Sequence, residues 1–128
     1  MGFFKNIKLN KLMKKMAEHS IAIQVLEDKQ LINDFLELGE VAQDRLIGVS
    51  SDPNVDILSR MKAMCVLGFF EDDKAISALE KALQDDNSSI REQAIKAHVI
   101  RRNPKSAPTL IALASSNRVI GSYHEFER

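Results

Sequence analysis

Residues 52–114 of this chain repeat themselves, and that repetition limits the fold more than any other feature. Setting Ser59-Arg60-Met61-Lys62-Ala63 over Ile90-Arg91-Glu92-Gln93-Ala94, 31 positions later, superposes Arg60 on Arg91, Ala63 on Ala94, Val66 on Ala97 and Leu67 on His98. The following segment keeps the register: Lys74 meets Lys105, Ala75 meets Ser106, Ile76 meets Ala107, Leu79 meets Leu110 and Ala82 meets Leu113. A fixed period of this size marks stacked units of helix, turn and second helix, because one such pair cannot bury its apolar face alone and a neighbour must supply the missing core. A third copy opens at Asn117-Arg118-Val119-Ile120, 30 residues after Asn87-Ser88-Ser89-Ile90. Upstream, residues 29–50 read as a degenerate copy in which Leu38-Gly39 stands where Leu67-Gly68 stands later.

No sustained period-two alternation and no Asn-Gly or Asp-Gly hairpin turn is present, so the fold class expected is all-α. Hydrophobic periodicity and turn residues predict short helices over 6–18, 20–26, 29–38, 41–50, 54–69, 73–84, 88–102 and 105–115, with Pro53 and Pro104 between helical patterns. The domain reading is a single repeat domain over 1–128: capping helices in 1–26, a degenerate repeat in 29–50, repeats in 52–84 and 86–115, and a partial repeat or tail in 117–128. Met61, Ala63, Met64, Cys65, Val66, Leu67, Phe69 and Phe70 are apolar almost all round their helix, which predicts that this helix is the central element. Arg91, Glu92, Gln93, Lys96, Arg101 and Arg102 read instead as the charged outer face of a helix nearer the end of the stack.

Three stretches carry a family resemblance: Asp52-Pro53-Asn54-Val55 before a helix, Leu67-Gly68 near its close, and then Asp73-Lys74-Ala75-Ile76-Ser77-Ala78-Leu79-Glu80-Lys81-Ala82-Leu83. Together they resemble the short HEAT-like repeat of phycobilisome lyase subunits and of many bacterial adaptor proteins. Arg60 and Arg91 occupy the arginine place of that pattern, and Ala63 and Ala94 the small-residue place. Ser59 departs from the usual Val or Ile, His98-Val99 replaces Leu-Gly, and Asn54 to Leu58 includes a short insertion. The resemblance covers 52–114 well, 29–50 weakly and 1–26 not at all. It implies a right-handed α-solenoid of HEAT-like repeats that works as a non-catalytic protein-interaction adaptor or scaffold. On that reading the second helices line a concave surface, and Lys74, Glu80, Lys81, Lys105 and Thr109 are the expected partner-binding residues.

Charge narrows the partner. Eighteen basic residues balance eighteen acidic ones, so no whole-chain field points to nucleic acid, and residues 57–128 carry only +2. The distribution is nevertheless uneven: Lys5, Lys8, Lys11, Lys14 and Lys15 give residues 1–16 a charge of +5, while 27–56 is strongly acidic. Leu9, Leu12, Met13 and Met16 fall on one side of a helix whose lysines occupy the other. The preferred reading is a terminal helix packed on the core beside an acidic neighbour, and the alternative is contact of the Lys5–Lys15 helix with a membrane surface or an acidic partner. No apolar stretch reaches the length of a membrane span, and the start of the chain lacks the apolar core and small-residue cleavage site of a signal peptide. The single cysteine, Cys65, excludes an intramolecular disulfide and fits a reducing compartment, so a cytoplasmic location is expected.

Catalytic patterns are missing: the chain has no phosphate loop, no His-Glu-x-x-His spacing and no nucleophile elbow. Neither metal nor cofactor is therefore expected. The enzymatic alternative is a bilin lyase-like subunit, or a metal-dependent enzyme built on His124 and Glu125, a pair that needs further ligands because His19 and His98 lie on other predicted helices. Cys65, in the most apolar helix, reads as core rather than nucleophile, and His98 as packing. Glu71-Asp72-Asp73 and Asp85-Asp86 read as helix caps, and Arg101-Arg102 as cations favoured at a helix C-terminus.

Overall fold

Side chains that accept hydrogen bonds from otherwise free backbone N–H groups cut the chain into its helices. A computed structural model of the protein describes residues 2–102. Among these residues there are seven α-helices and no strand: α1 (Gly2–Glu18), α2 (Ala22–Glu27), α3 (Lys29–Leu38), α4 (Glu40–Ser51), α5 (Ile57–Leu67), α6 (Asp73–Ala82) and α7 (Ser88–Arg102). Asp28 opens α3 by accepting the Leu31 N–H at 3.1 Å, and Asp72 opens α6 by accepting that of Lys74 at 2.8 Å. The Asn87 Oδ1 opens α7, taking the N–H groups of Ser89 at 2.8 Å and Ile90 at 3.2 Å. Caps of this kind stabilise a helix by about 1 kcal/mol each.

The Asp52-Pro53-Asn54-Val55 turn delays the next helix. Asp52 accepts the Asn54 N–H with its side chain at 2.9 Å and the Val55 N–H with its carbonyl at 3.1 Å. Asp56 then caps α5 through the Ser59 N–H at 2.9 Å, so the helix starts at Ile57 rather than at residue 54. The capping expected of Glu71-Asp72-Asp73 is present, with Asp72 as the cap. At Asp85-Asp86 the helix cap is Asn87 rather than either acid, while the Asp85 carboxylate accepts the Asn87 N–H at 2.9 Å and also faces Arg60. α1 begins at Gly2, earlier than the expected residue 6. The helix expected over 105–115 and the partial repeat over 117–128 lie outside the described residues.

Packing follows the apolar pattern. α5 is the central element, touching α1, α2, α4, α6 and α7, and its Ala63, Met64, Cys65, Val66 and Leu67 are all buried. α5 lies beside α7 and α4 beside α6, while α4 also packs on α5 and α6 on α7. The result is a two-layered α-solenoid, in which each helix finds in the next pair the apolar cover it cannot make for itself. α1 lays Leu9, Leu12 and Met16 into the core against α3, α4 and α5, and its lysines remain exposed. Its acidic neighbour is real: Lys8 Nζ lies 4.0 Å from Glu37 of α3.

The two Leu-Gly pairs are not structural equivalents. Gly68 lies against α7, where a Cβ would come within 3.2 Å of the Ala97 Cα and carbonyl oxygen, so glycine is there for close approach of two helices. Gly39 is the turn between α3 and α4, with φ +65° and nothing within 4 Å of where its Cβ would be. Glycine is required there by backbone conformation, not by space.

Candidate functional site

The second helices α4 and α6 run side by side and expose two matched rows of residues. Asp44, Ile47, Gly48 and Ser51 on α4, and Lys74, Ser77, Ala78 and Lys81 on α6, share the spacing i, i+3, i+4, i+7, which places each set along one face of its helix. The rows are themselves 30 residues apart, so Gly48 and Ala78, the two smallest side chains, occupy equivalent places. With Asp73 they line an open groove of about 670 Å³, in which Ile47, Gly48 and Ala78 stand among charges of both signs. A second groove, of about 510 Å³, lies on the other flank of α4 against Asn6 and Leu9 of α1 and shares Asp44 and Gly48 with the first. No atom lies within 4 Å of where a Gly48 Cβ would be. The backbone of α4 is therefore open to an approaching chain between the two grooves.

Of the residues expected to bind a partner, Lys74 and Lys81 are brought together in this groove. Glu80 is exposed but faces the other way, beside Leu83 of the α6 end and Ile95, His98 and Val99 of α7. Lys105 and Thr109 lie outside the described residues. Lys74 is already engaged: its Nζ donates to Glu40 Oε2 at 2.9 Å and stands 3.7 Å from Asp44 Oδ1. The hydrogen bond to Glu40, followed by the charge of Asp44, holds the Lys74 ammonium above its ordinary pKa. Lys81 is thus the cation of this row without such a pairing among the described residues. Sequence reading missed Asp44, Gly48 and Ser51, although their spacing on α4 was a usable signal.

Buried polar groups fasten the other layer. Arg60 donates from Nε to the Ser50 carbonyl at 3.0 Å and from its guanidinium to Asp85 Oδ1 at 2.8 Å. It thereby ties the end of α4 to the turn before α7. The Asn87 N–H first, and Arg60 second, hold the Asp85 carboxyl below the usual carboxylate range. Arg91, the repeat partner of Arg60, donates to the carbonyls of Asp85 at 2.7 Å and Asp86 at 3.0 Å. Lys62 is buried, with its ammonium on the carbonyls of Ala17 and His19, where it caps the end of α1. Gln93, which the sequence placed on an outer face, is buried and donates to Cys65 Sγ at 3.3 Å. The register explains this correction, since Gln93 stands 31 residues after the buried Lys62 and so points at the same interface.

Cys65, His98, His19 and Asp28 lie outside the groove. Burial pushes the Cys65 thiol up to about 12, which leaves no thiolate for nucleophilic work. His98 is half-buried at the edge of the core, its Nδ1 3.5 Å from Arg101. His19 Nε2 pairs with Asp28 Oδ2 at 2.9 Å, and this bond first of all lowers the Asp28 carboxyl. Among the described residues no three His, Cys, Asp or Glu side chains gather as a metal ion would need, and His124 and Glu125 lie outside them.

A family model described as HEAT repeats matches residues 43–120, from α4 through α7 and beyond, and the chain belongs to the HEAT-repeat family. Repeats of this kind commonly act as protein-interaction scaffolds, because a stack of helical pairs presents an extended surface. No curated protein and no solved structure matches the chain. Among the described residues no helix is long and apolar enough to cross a membrane.

Proposed function

We propose that this protein is a non-catalytic cytoplasmic adaptor that binds a segment of another protein in the α4–α6 groove. The reading rests on one observation: equivalent rows of two successive second helices, Asp44-Ile47-Gly48-Ser51 and Lys74-Ser77-Ala78-Lys81, line an open groove with small residues at equivalent places, Gly48 and Ala78. Small residues let a ligand backbone or short side chain approach the helices. The acids Asp44 and Asp73 and the cation Lys81 then fix its direction, since mixed charge suits a protein partner better than a polyanion. Affinity capture from the native cell tests the reading. Ala78→Arg, which fills the groove, is expected to lose a stoichiometric protein partner that wild type and the Glu80→Lys variant on the opposite flank both retain. Retention by Ala78→Arg would remove the groove from the account.

A further inference from the structure

α1 has two faces, and the core uses only one. Leu9, Leu12 and Met16 are buried and Met13 is partly so, while every residue from Gly2 to Lys8 is exposed. The outward side of the first two turns is therefore left uncovered by the stack. In this stretch Phe3, Phe4 and Ile7 are 70%, 73% and 40% exposed, and the two rings stand edge to face with centroids 5.6 Å apart. At 3.6 residues per turn these three side chains span about 100° and point opposite Leu9. Lys8, Lys11, Lys14 and Lys15 continue the same outward side along the helix, all exposed. No acid occurs before Glu18. Among the described residues only Lys8 of the five lysines has an ion-pair partner, Glu37 at 4.0 Å.

An aromatic cluster followed by a row of lysines on one helix face suits a surface that is apolar inside and anionic outside. We propose that the Gly2–Lys15 face of α1 docks on an anionic lipid membrane. Phe3, Phe4 and Ile7 enter the boundary between headgroups and acyl chains, and Lys8, Lys11, Lys14 and Lys15 lie along the headgroups. This places the protein on the membrane surface and does not span it. The docking face differs from the apolar stripe read in the sequence, because Leu9, Leu12 and Met16 are spent on the core. It is also independent of the α4–α6 groove, which a surface-bound protein can still present to a partner.

Co-sedimentation of the full chain with phosphatidylcholine vesicles, with and without phosphatidylglycerol, tests the proposal at low and high salt. Two variants accompany wild type: Phe3→Ser with Phe4→Ser, and Lys11→Gln with Lys14→Gln and Lys15→Gln. All five positions are exposed, so unchanged thermal unfolding is expected and is measured first. The expected result is binding only to vesicles that contain phosphatidylglycerol, weakened by salt, and reduced roughly tenfold or more in each variant. Absence of binding at low salt overturns the proposal. So does binding that survives loss of both phenylalanines, which reduces it to adsorption of charge. Self-association of wild type that the Phe3→Ser, Phe4→Ser variant abolishes, without vesicle binding, assigns the face to a second copy and overturns it equally.

Discussion

Gly68 and Gly48 are the same residue in the two layers of one stack, and they do opposite things. At Gly68 a Cβ would meet the Ala97 backbone at 3.2 Å, whereas at Gly48 it would meet nothing within 4 Å. Around Gly68 the α5–α7 layer is closed, with Arg60, Lys62 and Gln93 buried and bonded. Around Gly48 the α4–α6 layer opens into two grooves. The difference separates the part of the molecule that holds the helical pairs together from the part free to meet something else. Both glycines sit in or at the end of a helix, so helix propensity cannot tell them apart and only packing does.

The largest expected effect lies in the closed layer. Arg60→Ala removes a guanidinium that serves the Ser50 carbonyl and Asp85, and is expected to cost about 2–3 kcal/mol, less than a fully buried pair because the Asp85 side chain retains some solvent contact. Denaturant unfolding measures it, and a cost under about 0.5 kcal/mol would mean that the pair does not hold the layer. Gly68→Ala comes next, at about 1–3 kcal/mol, since the Ala97 backbone has to move. The ordinary helical φ of −60° at Gly68 leaves steric contact as the cause.

Acid should loosen this layer at Asp85 and the start of α3 at Asp28. The carboxyls of Asp85 and Asp28 are lower in the folded protein than their ordinary value of 3.8, so at acid pH the unfolded chain binds more protons than the folded one. Their contribution is therefore complete above that value and is lost as pH falls through the lower folded values. The denaturant midpoint is expected to be flat near neutrality and to drop below about pH 4, with a shallower drop in Asp85→Asn. An equally steep drop in that variant would remove Asp85 from the explanation. The smallest effect belongs to the open layer: Gly48→Ala should stabilise by about 0.5–1 kcal/mol, because alanine favours an exposed helix interior and meets no neighbour.

The repeat made much of this legible beforehand. Its register paired the residues of α5 with those of α7, and the all-round apolar run containing Ala63–Leu67 identified α5 as the central helix. What the register could not supply was the meaning of a shared letter. Leu38-Gly39 and Leu67-Gly68 align, yet one glycine turns the backbone and the other admits a neighbouring helix, and both reasons arise from three-dimensional placement. Lys62 and Gln93 were hidden by their polarity, which reads as surface until the carbonyl ends of α1 and the Cys65 sulfur are seen beside them. On the groove, Lys74 and Lys81 were found from helix position alone. Glu80 was grouped with them although it lies about 100° round the helix from Lys81, and the matching row on α4 escaped notice because residues 29–50 repeat so weakly.

Gly48→Arg, followed by thermal unfolding and partner capture in parallel, tests the division between the two layers most directly. The account predicts a melting temperature close to that of wild type, because the arginine enters open space, together with loss of the captured partner. A melting temperature lowered as far as that of Gly68→Ala, or a partner retained at wild-type level, would contradict it.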